Sequence, residues 1–305
     1  MTRIWQGLAL VALCAAAPLS GEGFVLRFAA EILLVGAAVM SLNLLIGVGG
    51  LVSLGHGAVF GAAAYCAAVA AQAWGANVFM VIAIGMLAGM LVSAAMALLT
   101  LRSSGLFFLV LTLVGGQMVW EVVFRWRDVT GGADGLRGFP ALSLGAMPLA
   151  SPLALYGVAL LLALIGWAAL RSFARAPLGQ ALQGMGDQPL RMRALGFSQG
   201  RLRLQAFLMS GAVAGAAGAV FPFVNQYVGP NTVHWSMSAT LVIMAVLGGI
   251  GTWFGGFAGA ALYLLAQTQL SSYTDRWQLM IGLLFVATVI FLPYGIVPAL
   301  RRTRQ

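Results

Sequence analysis

Long apolar runs occupy most of this chain, and they are cut at intervals by glycine, proline or charge rather than by polar alternation. A helix that crosses the hydrocarbon layer of a bilayer needs about 20 mostly apolar residues. Read against that length, the runs predict ten spans: Ile4–Leu19, Phe24–Ile46, Gly57–Trp74, Val78–Leu101, Leu106–Phe124, Pro152–Leu170, Leu204–Val228, Ser236–Ile250, Trp253–Leu270 and Gln278–Leu300. The expected fold class is all-α, a polytopic helical bundle of one transmembrane domain over residues 1–305. Ile4–Leu19 behind Arg3 also has the form of a secretory signal, with small residues Ala15–Ala17 for cleavage. Pro18 in the first mature position argues for an uncleaved span instead. The eighth run is short enough to be re-entrant, but a full crossing keeps the final arginines on the same side as the others.

Charge orients the spans. With the N-terminus inside, the cytoplasmic side collects Arg3, Arg102, Arg171, Arg175, Arg191, Arg193, Arg201, Arg203, Arg301, Arg302 and Arg304 against Asp187 alone, a net of +10. The other side nets −1, and together they return the +9 of the chain. Loops rich in arginine stay cytoplasmic, so both termini are expected on the cytoplasmic side. The eight tryptophans fall near proposed span ends, where an indole ring lies dry and its N–H is expected to be wet.

Composition then removes whole classes of function. All 16 basic residues are arginine; without lysine there is no P-loop, pyridoxal or retinal chemistry. Cys14 and Cys66, and His56 and His234, are too few and too scattered for a disulfide framework or a zinc site, so no metal is expected. No HExxH, deep carboxylate pair or His/Cys cluster supports a membrane enzyme. Arg27 with Glu31 and Glu121 with Arg125 share helix faces and read as charge neutralisation near the outer boundary. With no unpaired acid deeper, an ion-coupled transporter is the weaker alternative.

Glycine pairs at four-residue spacing recur inside the spans: Gly57 and Gly61, Gly85 and Gly89, Gly211 and Gly215, Gly255 and Gly259. Small residues so spaced let backbones approach in lipid. Gly57, Gly61 and Tyr65 also match Gly255, Gly259 and Tyr263 at an offset of 198, which suggests an internal parallel repeat. Around the first set, SLNLLIGVGGLVSLGHGAVFGAAAY at Ser41–Tyr65 places Asn43, Ser53 and His56 among glycines at or near membrane depth. Such a stretch either lines a transport path or makes an inner turn, with His56 as a hydrogen-bonding tie between helices. TGGADGLRG at Thr130–Gly138 suits a defined outer turn, and the inner loop Arg171–Arg203 contains helical segments Leu178–Met185 and Leu190–Leu195 about Pro189.

These motifs, LNLLIGVGGLVSLGHGAVFGAAAY, TGGADGL, PLGQALQGMGDQPLRMRALGF, SGAVAGAAGAVFPFVNQYVGP and VLGGIGTWFGGFAGA, occur in order from about Leu33 to Pro298. The chain resembles the permease subunit of ABC importers for branched-chain and other hydrophobic amino acids, the longer of the two paired permease types. The resemblance implies a sister permease, two ATP-binding subunits that bind the ATP, and a periplasmic substrate-binding protein, with no cofactor or nucleic acid on this chain and no ATPase site of its own. It implies a coupling loop in which Gly179, Ala181, Leu182, Asp187, Ala194 and Gly196 match the family pattern. Gln180, Gly184 and Gly186, where relatives often carry arginine or alanine, and Pro189 depart from it. Asn43, Ser53, His56 and Gln117 are the candidates for the translocation path. Related permeases serve urea or aromatic compounds, so the cargo stays open at this point.

Overall fold

The computed structural model describes residues 22–145, 147–292 and 295–298. The expected first span Ile4–Leu19 and the arginines at 301, 302 and 304 lie outside the described residues. Helix α1, Gly23–Asn43, runs on through a π turn, Leu44–Val48, before the chain loses helical form. After α2, His56–Trp74, come α3, Val78–Leu99, and α4, Gly105–Arg125. A short α5, Arg127–Thr130, and the two-residue strands β1, Ser143–Leu144, and β2, Met147–Pro148, precede α6, Pro152–Arg175. Then follow α7, Pro177–Asp187, α8, Pro189–Ala194, α9, Gln199–Asn225, α10, Trp235–Gly248, α11, Gly255–Tyr273, and α12, Trp277–Phe291.

Six of these elements, the extended α1 and α2, α3, α4, α6 and α9, are long and apolar enough to cross a membrane. Helices α10 and α12 are apolar but shorter. Helix α11 is 19 residues long, and its final turns carry Gln267, Thr268, Gln269, Ser271 and Ser272. Local chemistry sets the starts. The Asn77 side chain accepts from the Phe79 N–H at 3.0 Å to cap α3, and the Ser151 hydroxyl accepts from the Ala154 N–H at 3.2 Å to cap α6. Proline stands in the first turn of α6, α7 and α8, where its missing N–H costs nothing.

Helices α1, α2 and α9 form the buried centre, with Phe60, Phe207 and Phe223 fully enclosed. Helices α3, α4 and α6 flank it and leave Leu87, Leu91, Phe107, Met118, Leu161 and Ile165 exposed, the surface a lipid-facing layer requires.

The glycine pairs locate the contacts. Gly85 and Gly89 of α3 meet Gly211 and Gly215 of α9; a methyl group on Gly89 would stand 2.7 Å from the Gly215 Cα. The other two pairs grip α10 from both ends. Gly57 and Gly61 of α2 abut Ser238 and Val233 at its start, and Gly255 and Gly259 of α11 abut Gly249 and Gly248 at its finish. Such backbone approach provides dispersion where lipid offers no net apolar drive. The two segments α1–α2 and α10–α11 share one order, helix, non-helical link, 19-residue helix. Each second helix also packs on the other segment's first: Gly57 on α10, and Gly256 against Met40 of α1.

Two expectations need correction. Among the described residues the ion pair is Glu121–Arg125; Glu31 makes none with Arg27 and instead interacts with the Asn225 side chain of α9, which the packing of α1 on α9 brings within its reach. Trp120 and Trp167 have buried indole nitrogens with no hydrogen-bond partner. Their rings stack on Phe124 and Phe254, so side-chain packing rather than water surrounds these two N–H groups.

Gly215→Leu forces a branched side chain into the α3–α9 seam and is expected to cost about 1–3 kcal/mol or more, lowering the monodisperse fraction on size-exclusion chromatography. Gly157→Ala, where nothing stands within 4 Å, is expected to leave the profile unchanged. Equal profiles for the two variants would remove the seam as a determinant of the fold.

Candidate functional site at the broken helix

Between Val48 and His56 the backbone leaves the helix, and between Gly248 and Gly255 it does so again. Inside a bundle that excludes water, every N–H and C=O freed this way needs a partner. Asn43, at the last α-helical position of α1, links the two breaks. Its Nδ2 donates to the Thr252 carbonyl at 2.9 Å and its Oδ1 accepts from the Gly251 N–H at 2.8 Å. One amide side chain therefore satisfies a donor and an acceptor some 200 residues away in sequence.

Hydroxyl groups treat the first break in the same way. Thr112 of α4 accepts from the Leu54 N–H at 3.0 Å, Ser53 from the Gly55 N–H at 3.3 Å, and Ser238 of α10 from the Gly57 N–H at 2.8 Å. Deeper in the bundle, Ser41 donates its proton to the Ala38 carbonyl at 2.7 Å, while its oxygen lies 2.7 Å from Nε2 of His56. With the serine proton used on Ala38, Nε2 of His56 is the donor in that bond. Ser210 of α9 closes the cluster by donating to the Ser41 carbonyl at 2.7 Å. His56 is 1% exposed and works as a tie between α1 and α2.

Of the path candidates, Asn43, Ser53 and His56 are thus brought to one break. Gln117 stands apart on α4 beside Gly116, which packs on Gly55, and its Oε1 is buried without a partner. The space beside Asn43, bounded by Met40, Val48 and Gly251–Trp253, is about 20 Å³, room for a water molecule.

The loop segment α7–α8 packs directly under this break. Gly179, Ala181 and Leu182 are buried, and Leu182 lies beside Gly49. Asp187, Ala194 and Gly196 are exposed. A methyl group on Gly186 would stand 3.1 Å from the Gly49 carbonyl oxygen, and one on Gly184 would stand 2.9 Å from the Met192 sulfur. Both departures from the family pattern are therefore places of close approach. Gly196 ends α8: its N–H donates to Arg193 at 2.9 Å and that of Phe197 to Met192 at 3.1 Å, with Gly196 at φ 88°. This is the left-handed helix terminus that glycine adopts without strain. Pro189 opens α8 rather than closing α7.

At the opposite end, Gly131–Leu136 packs on the segment after α9. The Leu136 and Val228 backbones exchange bonds of 2.9 and 3.1 Å, and Gly135 lies against the Val228 carbonyl and Gly229, so two separate sequence motifs meet. Sequence reading missed Ser41, Thr112, Ser210, Ser238 and Thr252. Thr252 had a signal, since the repeat offset points to its glycine-rich link, whereas a serine inside an apolar helix has none.

A sequence model of the family described as branched-chain amino acid transport system / permease component matches residues 24–289. The high-affinity branched-chain amino acid transport system permease protein LivM of Escherichia coli (strain K12) is 28% identical over 288 residues, covering 86% of this chain and 67% of the relative. LivM of Salmonella typhimurium is similar to the same extent. The autoinducer 2 import system permease protein LsrC of Klebsiella pneumoniae is 33% identical over 156 residues, 49% of this chain and 42% of its own. No solved structure matches the chain.

Asn43→Ala strands one buried donor and one acceptor, each costing about 1–3 kcal/mol. The unfolding midpoint of the detergent-solubilised protein is expected to fall by several degrees; an unchanged midpoint would reject the tie between the breaks.

Proposed function

The chain belongs to the branched-chain amino acid transport system permease family, and we propose that it is the membrane-spanning permease subunit of an ABC importer that carries branched-chain or related hydrophobic amino acids. In this reading the chain crosses the bacterial inner membrane ten times, with both termini cytoplasmic, and α1–α2 and α10–α11 are the products of a parallel duplication. A sister permease completes the path, two ATP-binding subunits supply the energy, and a periplasmic binding protein delivers the cargo to the face formed by Gly131–Leu136 and Val228–Gly229.

One observation carries the mechanism: α7 touches the broken end of α1. A displacement of α7 by an ATPase reaches Gly49 through Leu182 and Gly186, and from there Asn43 and the link at Gly251–Thr252. Helix α10, seated in glycine at both ends, moves with its seats or leaves them. Coupling of this kind needs two discrete arrangements whose contacts differ at both ends. The side chains that bridge the breaks are short and few, so they can exchange partners while the long helices stay intact. The space beside Asn43 is too small for an amino acid, which suits a path shared with a second subunit and closed in this arrangement. The match to the autoinducer 2 permease across 49% of the chain favours, as a second reading, the same machine with a different small cargo.

Gly186→Val separates α7 from Gly49 without removing the exposed part of the loop. After co-expression with the partner subunits, the complex is expected to purify through its ATPase while uptake falls at least about tenfold. Normal uptake by this variant, or failure of wild-type chain to co-purify with an ATPase, would overturn the coupling assignment. Reconstitution with the cognate binding protein and a screen for ligands that stimulate ATP hydrolysis identifies the cargo.

A further inference from the structure

A second feature of the α7–α8 end adjoins the contact with Gly49. Arg203, in the second turn of α9, is 5% exposed. Its Nη1 donates to the Thr100 and Ser103 carbonyls at 3.2 and 2.7 Å, C=O groups just past the end of α3, and its guanidinium stands 5.6 Å from the Phe108 ring. These contacts supply dipoles and a π face but no negative charge. Arg203 borders a cleft of about 290 Å³ whose lining also includes Arg193, Gln199, Ser104, Gly105 and Gly186, and includes no aspartate or glutamate.

The cleft gathers positive potential from a third source. Helix α4 begins at Gly105, and its N-cap residue Ser104 makes no side-chain capping bond. The first N–H groups of a helix are unpaired within it and favour an anion. Arg193 extends over the rim and holds Gln199. Leu190, which lines the cleft, is strongly exposed, as are Leu106 and Phe107, which follow the lining residue Gly105. A cationic polar hollow edged by apolar side chains, in a chain of membrane-spanning helices, matches a phospholipid at the level where its headgroup meets its acyl chains.

We propose that this cleft binds a phosphate group, carried by an anionic lipid, between Arg193, Arg203 and the start of α4. Gly49 and Gly50 line the same cleft, so the bound headgroup wedges between α7–α8 and the break in the first helix. The inference rests on the cleft and on membrane residence, independent of cargo and ATPase, and its test needs neither.

The full-length chain, purified in a neutral detergent, is titrated with phosphatidylglycerol, phosphatidylcholine and glycerol phosphate, with retention read by native mass spectrometry and stabilisation by thermal unfolding. Phosphatidylglycerol is expected to be retained and to raise the unfolding midpoint, and phosphatidylcholine is not. Because Arg203→Gln uncaps α3 and risks misfolding, Arg193→Gln carries the test, with Arg201→Gln, outside the cleft, as control. Arg193→Gln is expected to weaken phosphatidylglycerol binding about fivefold, the effect of one arginine at a charged surface, and Arg201→Gln to leave it unchanged. Stabilisation by glycerol phosphate equal to that by the lipid would assign the phosphate to a soluble ester, and none would assign it to the lipid. Equal retention of the two lipids, or equal losses in the two variants, would overturn the site.

Discussion

The demand that buried backbone groups find partners where water is absent organises this protein. A continuous helix meets the demand by itself, and a broken one must recruit side chains. Two breaks occur at one end of the bundle, and Asn43, Ser53, Thr112 and Ser238 answer for the amides they release. The bonds cross between elements far apart in sequence, so the groups freed at the breaks are satisfied only in the assembled bundle. They also localise the weakest part of the backbone. Elsewhere a movement would have to rupture helical hydrogen bonds, whereas here it needs only an exchange of a few side-chain contacts.

Close packing makes that weakness useful. The α3–α9 seam joins glycine to glycine, and α10 is held between glycines of α2 and α11, so there is little slack for a displacement to dissipate. Beneath the first break, α7 reaches Gly49 through Leu182 and Gly186. The residues that make the contact are small or aliphatic, and the charge of the segment lies beside them, on its exposed face and in the cleft at Arg203 that Gly49 and Gly186 also line. One short helix thus presents two surfaces, an apolar one to the break and a polar one outward.

Charge follows the same division. Six arginines fall between Arg171 and Arg203, yet they are not equivalent. Arg203 is buried against carbonyl groups and a phenyl ring, while Arg193 remains exposed. The positive balance that orients a membrane protein also builds a local potential, and its geometry depends on which arginines carbonyl groups and aromatic faces draw inward, as the end of α3 and Phe108 draw Arg203.

The sequence alone determined the helical class, most helix positions and the location of both breaks, because apolar run length and glycine spacing are local quantities read along one chain. Family membership was legible too, through motifs that keep their order. The tertiary structure decided the partners: that Gly85 and Gly89 meet Gly211 and Gly215, that Asn43 serves residues 251 and 252, that Ser210 reaches the Ser41 carbonyl, and that Glu31 bonds Asn225 rather than Arg27. Each depends on which face of a helix turns toward which neighbour, and in a segment apolar on every side no amphipathic pattern marks that face. Close packing of many helices sets it, and that is a property of the assembled bundle.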